Sequence, residues 1–135
     1  ISMLRQVVTR GTARQAEVAG YEVAGKTGTA DKPRPNGGYY EDKNVTTFAS
    51  VFPASDPKYV MVVTLDEPSV RLAGGAESRT AGATTAPVAA EMVRRLGPLI
   101  GLEPHSDVKL PTFEPRFAPR VEPLADDEIK LVSNQ

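Results

Sequence analysis

Gly20-Tyr21-Glu22-Val23-Ala24-Gly25-Lys26-Thr27-Gly28-Thr29-Ala30 is the stretch whose reading decides the fold, and it can be framed in two ways. In the first frame residues 20 to 27 match the phosphate-binding P-loop pattern letter for letter. Such a loop needs a buried strand ending at its first Gly and a helix opening at its Lys-Thr, so that backbone N–H groups and the helix dipole converge on phosphate. Arg14-Gln15-Ala16-Glu17 is too polar for that strand, and Gly28, Pro33, Pro35, Gly37 and Gly38 will not carry that helix. The nucleotide reading fails on both flanks. In the second frame Tyr21 to Ala30 is a strand that presents Lys26-Thr27-Gly28-Thr29. Gly28 there lets a peptide lie close against the backbone, as an added strand would.

Working outward from that strand, Met3, Leu4, Val7 and Val8 have helical spacing, and Gly11 is placed to stop the helix. Residues 12 to 20 are compatible with more than one conformation. Asp31 to Asn44 reads as loop, with Pro33, Pro35 and the Asn36-Gly37-Gly38 turn signal. Val45 to Phe52 is a β-branched and aromatic run. Pro53-Ala54-Ser55-Asp56-Pro57 then turns the chain into Tyr59 to Leu65, whose apolar run predicts a strand buried on both faces and paired antiparallel with its predecessor. A Gly-rich loop is expected from 68 to 84. Thr85 can cap a last helix with Pro87 in its first turn. Val88, Met92, Val93, Leu96, Leu99 and Ile100 form its expected apolar stripe, opposite Glu91, Arg94 and Arg95. The fold class is α+β, a small antiparallel sheet of about three strands flanked by an N-terminal and a C-terminal helix.

With 135 residues and 40% hydrophobic content the chain suits one domain with a modest core. A net charge of -1 argues against a broad electrostatic grip on nucleic acid. There is no Cys, which excludes disulfides, thiolate metal sites and cysteine nucleophiles, and His105 is the single His. With a single His, an imidazole-rich metal site is not expected either. No apolar run approaches the ~20 residues of a membrane span. The opening Ile1-Ser2-Met3 suggests a piece of something longer, or an initiator Met removed by processing. Character changes near Gly101: residues 1–102 hold all eleven glycines, whereas residues 103–135 hold none and space Pro111, Pro115, Pro119 and Pro123 four apart. That spacing predicts an extended, polyproline-like tail, either solvated or a docking peptide using Phe113, Phe117 and Val121. His105, at the start of the tail, is expected to be solvated, and Gly74, Gly75 and Gly82 to supply flexibility only.

Lys26-Thr27-Gly28 on a strand resembles the active-site strand of penicillin-binding proteins and serine β-lactamases. Gly20-Tyr21, Val23 to Ala30, Asn36-Gly37-Gly38-Tyr39, Pro53-Ala54, Val62-Val63, Glu67-Pro68, Gly74-Gly75 and Ala86-Pro87-Val88 extend the resemblance to the class B penicillin-binding proteins, and within them to cell-division transpeptidases of Gram-negative bacteria. It covers roughly residues 1 to 100 and implies part of a penicillin-binding, β-lactamase-like transpeptidase fold. It also implies roles. Lys26 supplies positive charge beside the nucleophile. Thr27 and Thr29 offer hydroxyls to the terminal carboxylate of a D-Ala-D-Ala stem peptide or a β-lactam. The backbone N–H of Thr29 is half of the oxyanion hole, a donor worth ~3 kcal/mol. Taken without the resemblance, Lys26 is an ordinary surface strand Lys and the threonines are strand formers.

The chain departs from the family pattern in one large respect. The family nucleophile lies in Ser-x-x-Lys at the start of a buried helix, where the Lys sits one turn on beside the Ser hydroxyl. Ser55-Asp56-Pro57-Lys58 satisfies the letters, but it lies in a turn and follows the Lys-Thr-Gly strand instead of preceding it. The family's middle motif, Ser-x-Asn, is absent. The chain therefore carries the third active-site motif without the first two, and alone is expected to be inactive and prone to self-association. The resemblance implies a parent that is an inner-membrane D,D-transpeptidase facing the periplasm, needing no metal or organic cofactor, with stem peptides and β-lactams as ligands and divisome proteins as possible partners. A non-catalytic interaction module that kept the scaffold is the alternative.

Overall fold

The computed structural model describes residues 1–105. The expected polyproline tail, with Pro111 to Pro123, Phe113, Phe117 and Val121, lies outside the described residues. Helix α1 (Ser2–Thr9) leads into a single 3-10 turn (Arg14–Ala16). Three strands follow, β1 (Ala24–Pro33), β2 (Tyr39–Phe52) and β3 (Tyr59–Asp66), paired antiparallel in the order β1-β2-β3. A two-stranded ribbon, β4 (Val70–Arg71) with β5 (Glu77–Ser78), precedes α2 (Thr85–Leu99). The α+β expectation holds. The chain stays docked past residue 102: Leu102 is buried, and the His105 N–H donates to the Gly20 carbonyl at 3.1 Å. The exposed His105 side chain sits on backbone that is thus tied to the strand entry.

One face of the sheet carries the core. Thr46, Phe48, Ser50 and Phe52 of β2 alternate inward with Tyr59, Met61 and Val63 of β3, and the helices cover them. The opposite face is bare among the described residues, with Val60 and Val62 79% and 60% exposed. The expectation that Tyr59 to Leu65 is buried on both faces is therefore corrected. The helices cover one side only, and β3 alternates like any half-buried strand.

Three other expectations are revised. Asp31 to Asn44 is mostly strand instead of loop: β1 runs on to Pro33, and β2 opens at Tyr39, where it pairs with Pro33. Asn36-Gly37-Gly38 is the turn, with φ of +92° at Gly37 and +75° at Gly38, closed by Arg34 N–H to the Gly38 carbonyl at 2.9 Å. Tyr21-Glu22-Val23, taken from sequence as strand, is a turn and strand entry, and Glu22 has φ of +46°. The 68–84 segment is less of a loop than expected, because the β4–β5 ribbon interrupts it.

Helix α2 has the expected extent and places Pro87 in its first turn, but it turns a different face to the sheet. Thr85, Ala86, Ala89, Ala90, Val93 and Gly97 are buried, while Val88, Met92, Leu96, Leu99 and Ile100 are exposed by 37% to 80%. Small residues let the helix axis come close, and at Gly97 a methyl would overlap the Tyr21 ring. The cap also differs. Thr84 is the N-cap and its hydroxyl donates to the Thr80 carbonyl at 2.9 Å, whereas the Thr85 hydroxyl is buried against Thr46.

Candidate active site

Lys26, Thr27, Gly28 and Thr29 lie consecutively in β1, opposite Ala49, Phe48, Thr47 and Thr46 of β2. Cross-strand partners share a face. Thr46 and Phe48 point into the helix-covered core, so Thr27 and Thr29 face the helices, whereas Lys26 and Gly28 face the bare side. The four residues are thus split between the two faces, and what they share is the strand itself. β1 pairs with β2 alone among the described residues, which leaves its other edge open.

On the bare face, Lys26 is exposed and its ammonium donates to the Thr27 carbonyl at 2.7 Å. At Gly28 a methyl would meet nothing nearer than the Thr47 carbonyl oxygen at 3.9 Å. The protein interior does not demand a glycine at that position. On the helix face the Thr27 hydroxyl pairs with that of Thr12 at 2.8 Å, and the Thr29 hydroxyl accepts from the Ala81 N–H at 3.1 Å. Both threonines line an open cleft of about 550 Å3, together with Thr12, Arg14, Ser78 and Thr80. Arg5 secures the strand entry: its guanidinium donates to the Val23 carbonyl at 2.8 Å and pairs with Glu17 at 2.7 Å. Sequence reasoning missed Thr12 and the Thr80–Ala83 turn. Only the hydroxyl side chain of Thr12 could have pointed to it, and nothing in the sequence says that residues 12 and 27 meet.

Ser55 and Lys58 do not form a nucleophile pair. The Ser55 N–H donates to a Glu22 carboxylate oxygen at 2.9 Å, and the Lys58 ammonium pairs with Asp56 at 3.2 Å. Ser55 is a turn residue, as its sequence context implied. Its hydrogen bonds hold the Glu22 carboxyl below the usual value of 4.5. A depressed carboxyl stabilises the fold fully above its unfolded value, and that contribution is lost as pH falls through the lower folded one. Glu22→Gln should therefore cost about 1 kcal/mol near neutral pH, allowing for solvent screening, and almost nothing near pH ~3. Urea unfolding at the two pH values checks this; an equal gap at both would show that the charge is irrelevant.

Among the described residues no cluster of three or more His, Asp or Glu has metal-holding geometry, and no helix is long and apolar enough to cross a membrane. Comparison with known proteins gives a consistent answer. Residues 1–94 match the family model described as the penicillin binding protein transpeptidase domain. A peptidoglycan D,D-transpeptidase FtsI homolog of Chlorokybus atmophyticus is 38% identical over 71% of this chain, and penicillin-binding protein PbpB of Mycolicibacterium smegmatis is 41% identical over 70%. The chain spans only 13% and 16% of those two proteins. Among solved structures, penicillin-binding protein 3 of Mycobacterium tuberculosis complexed with ampicillin is 36% identical, with a TM-score of 0.63 over 78% of this chain and 24% of that one. The apo transpeptidase domain of penicillin-binding protein 3 from Burkholderia pseudomallei gives a TM-score of 0.63 at 32% identity, over 77% of this chain and 30% of that one. An exposed Lys-Thr-Gly-Thr strand on a one-sided antiparallel sheet, with the family match running from α1 through the sheet and into α2, leads to one conclusion: the chain belongs to the penicillin-binding protein transpeptidase domain family.

Proposed function

We propose that this chain supplies the substrate-aligning strand of a serine D,D-transpeptidase that cross-links peptidoglycan stem peptides and is acylated by β-lactams. The observation that carries the reading is β1, which holds Lys26 to Thr29 at an open strand edge beside a cleft lined by hydroxyls. In this reading a stem peptide lies along that edge as an added strand. Gly28 allows its backbone to approach, and the hydroxyls of Thr27 and Thr29 donate to its terminal carboxylate. The Thr29 N–H stabilises the oxyanion as it forms. The nucleophile and its general-base Lys belong to the part of the protein outside these 135 residues. The serine oxygen attacks the penultimate D-Ala carbonyl, D-Ala leaves with the proton returned by the base, and a stem-peptide amine displaces the serine to form the cross-link. The substrate places the enzyme at the outer side of the cytoplasmic membrane, in reach of divisome partners.

Acylation by a penicillin, read by intact mass, tests the reading. The full-length protein should take up one equivalent, and isolated residues 1–135 none. An adduct on the isolated chain would point to Ser55 and overturn the assignment. Thr29→Val in the full-length protein keeps the backbone N–H and removes the hydroxyl. It should slow acylation about ten- to a hundredfold, the worth of a hydrogen bond to a charged group. A full-length protein that takes no penicillin at all would support a non-catalytic module instead.

A further inference from the structure

Two hydrogen bonds beneath β1 have a direction, and the direction matters. A hydroxyl has one proton to donate and two lone pairs that accept. The Ala81 N–H can only donate, so its 3.1 Å bond to the Thr29 hydroxyl uses a lone pair and leaves the Thr29 proton free. The Thr12–Thr27 pair at 2.8 Å can run either way, since each hydroxyl can be the donor. A carboxylate accepts only, so it is compatible with one of the two directions: Thr12 must donate to Thr27, and Thr27 to the ligand.

The supports of both partners are built into the fold. Ala13 is fully buried, and its N–H bonds to the Val7 carbonyl at 3.1 Å, which seats the Thr12 loop on α1. The Thr80 carbonyl accepts from the N–H groups of Ala83 and Thr84, both at 3.0 Å, which fixes the turn carrying Ala81 at the head of α2. The two supports touch. At Gly82 a methyl would overlap the Thr12 carbonyl oxygen, so Gly82 sets their closest approach and is not simply a flexible joint.

Resting on the transpeptidase reading above, we propose that Thr12 is a positioning residue for substrate carboxylate recognition, acting through the Thr27 hydroxyl. Gly82 sets the spacing between the Thr12 loop and the Ala81 amide that orients Thr29. Two parallel relays, Thr12 to Thr27 and Ala81 to Thr29, then present two protons to one carboxylate, each strengthened by the donor behind it.

The test measures acylation of the full-length protein by a β-lactam and by the methyl ester of the same compound, resolved into the dissociation constant of the encounter complex and the acylation rate within it. Thr12→Val should weaken binding of the free carboxylate about three- to tenfold, leave the rate within the complex unchanged, and leave the ester unaffected. Thr12→Ser should restore binding. Gly82→Ala should weaken binding in the same carboxylate-dependent way while the protein stays folded by circular dichroism. Equal losses on carboxylate and ester, a loss confined to the rate within the complex, no loss at all, or a Ser variant as weak as Val would each overturn the proposal. Failure of the underlying reading is distinguishable: wild-type protein and Thr29→Val would then make no distinction between carboxylate and ester.

Discussion

Replacing Lys26 with Ala in the full-length protein is expected to slow β-lactam acylation by about two orders of magnitude or more without loosening the fold. The size follows from the role proposed above for Lys26: a positive charge set beside the negative charge that develops during acylation. The intact fold follows from the structure, where Lys26 is exposed and its one hydrogen bond goes to the carbonyl of the adjacent Thr27. That bond closes on the strand itself and ties no second element in place. The ammonium rests on its own backbone and is tied to no other element of the fold. Lys26→Arg should recover little, because a planar guanidinium is larger and cannot act as a compact point charge. Acylation rates and thermal unfolding of the same preparations decide the matter. A Lys26→Ala protein that acylates at the wild-type rate would show that β1 does not line the site.

What could be read in the sequence was the strand and its motif, because Lys26 to Thr29 carries its chemistry in consecutive residues. The limits of the elements that depend on distant partners could not be read. The arms of the β1–β2 hairpin, Asp31 to Pro33 and Tyr39 to Asn44, are polar and show no apolar alternation. They extend because they pair with each other and because Lys32 reaches Asp66 and Glu67 at 2.9 and 2.8 Å. In α2 the eye follows bulk, and Met92, Leu96 and Leu99 outweigh Ala86, Ala89 and Gly97. The sheet selects for closeness instead, and the small residues win that face. The Thr85 cap was misplaced by one residue because Thr84, Thr85 and Thr46 are interchangeable as letters and become distinct only once a buried hydroxyl cluster forms. Thr12 and Gly82 were invisible for a related reason: the Thr12 hydroxyl meets that of Thr27, 15 residues on, and Gly82 abuts the Thr12 carbonyl from the far end of the sheet segment.

Gly25 and Gly28 sit three residues apart on the same strand, and their alanine variants should fail in opposite ways. At Gly25 a methyl would lie 2.5 Å from the Ala49 carbonyl oxygen and 2.6 Å from the Phe48 ring. Neither can yield cheaply. The carbonyl is backbone of the paired strand, and Phe48 is fully buried at the centre of the core. Gly25→Ala must part β1 from β2 or expel Phe48, so a loss of about 3 kcal/mol or more is expected, beyond the few tenths to ~1 kcal/mol that Ala returns through a stiffer unfolded chain. Low soluble yield and a melting temperature lowered by several degrees should result. Gly28→Ala meets only ordinary contacts, the nearest at 3.9 Å, so its melting temperature should match wild type. Its added methyl stands on the face shared with Lys26 and would crowd a peptide lying along the open edge of β1 as proposed above, so acylation should fall at least tenfold. The pair therefore separates the glycine that the fold requires from the glycine that the ligand requires. If Gly25→Ala melts with wild type, the Phe48 contact is more yielding than its packing implies. If Gly28→Ala acylates normally, no peptide lies along this edge.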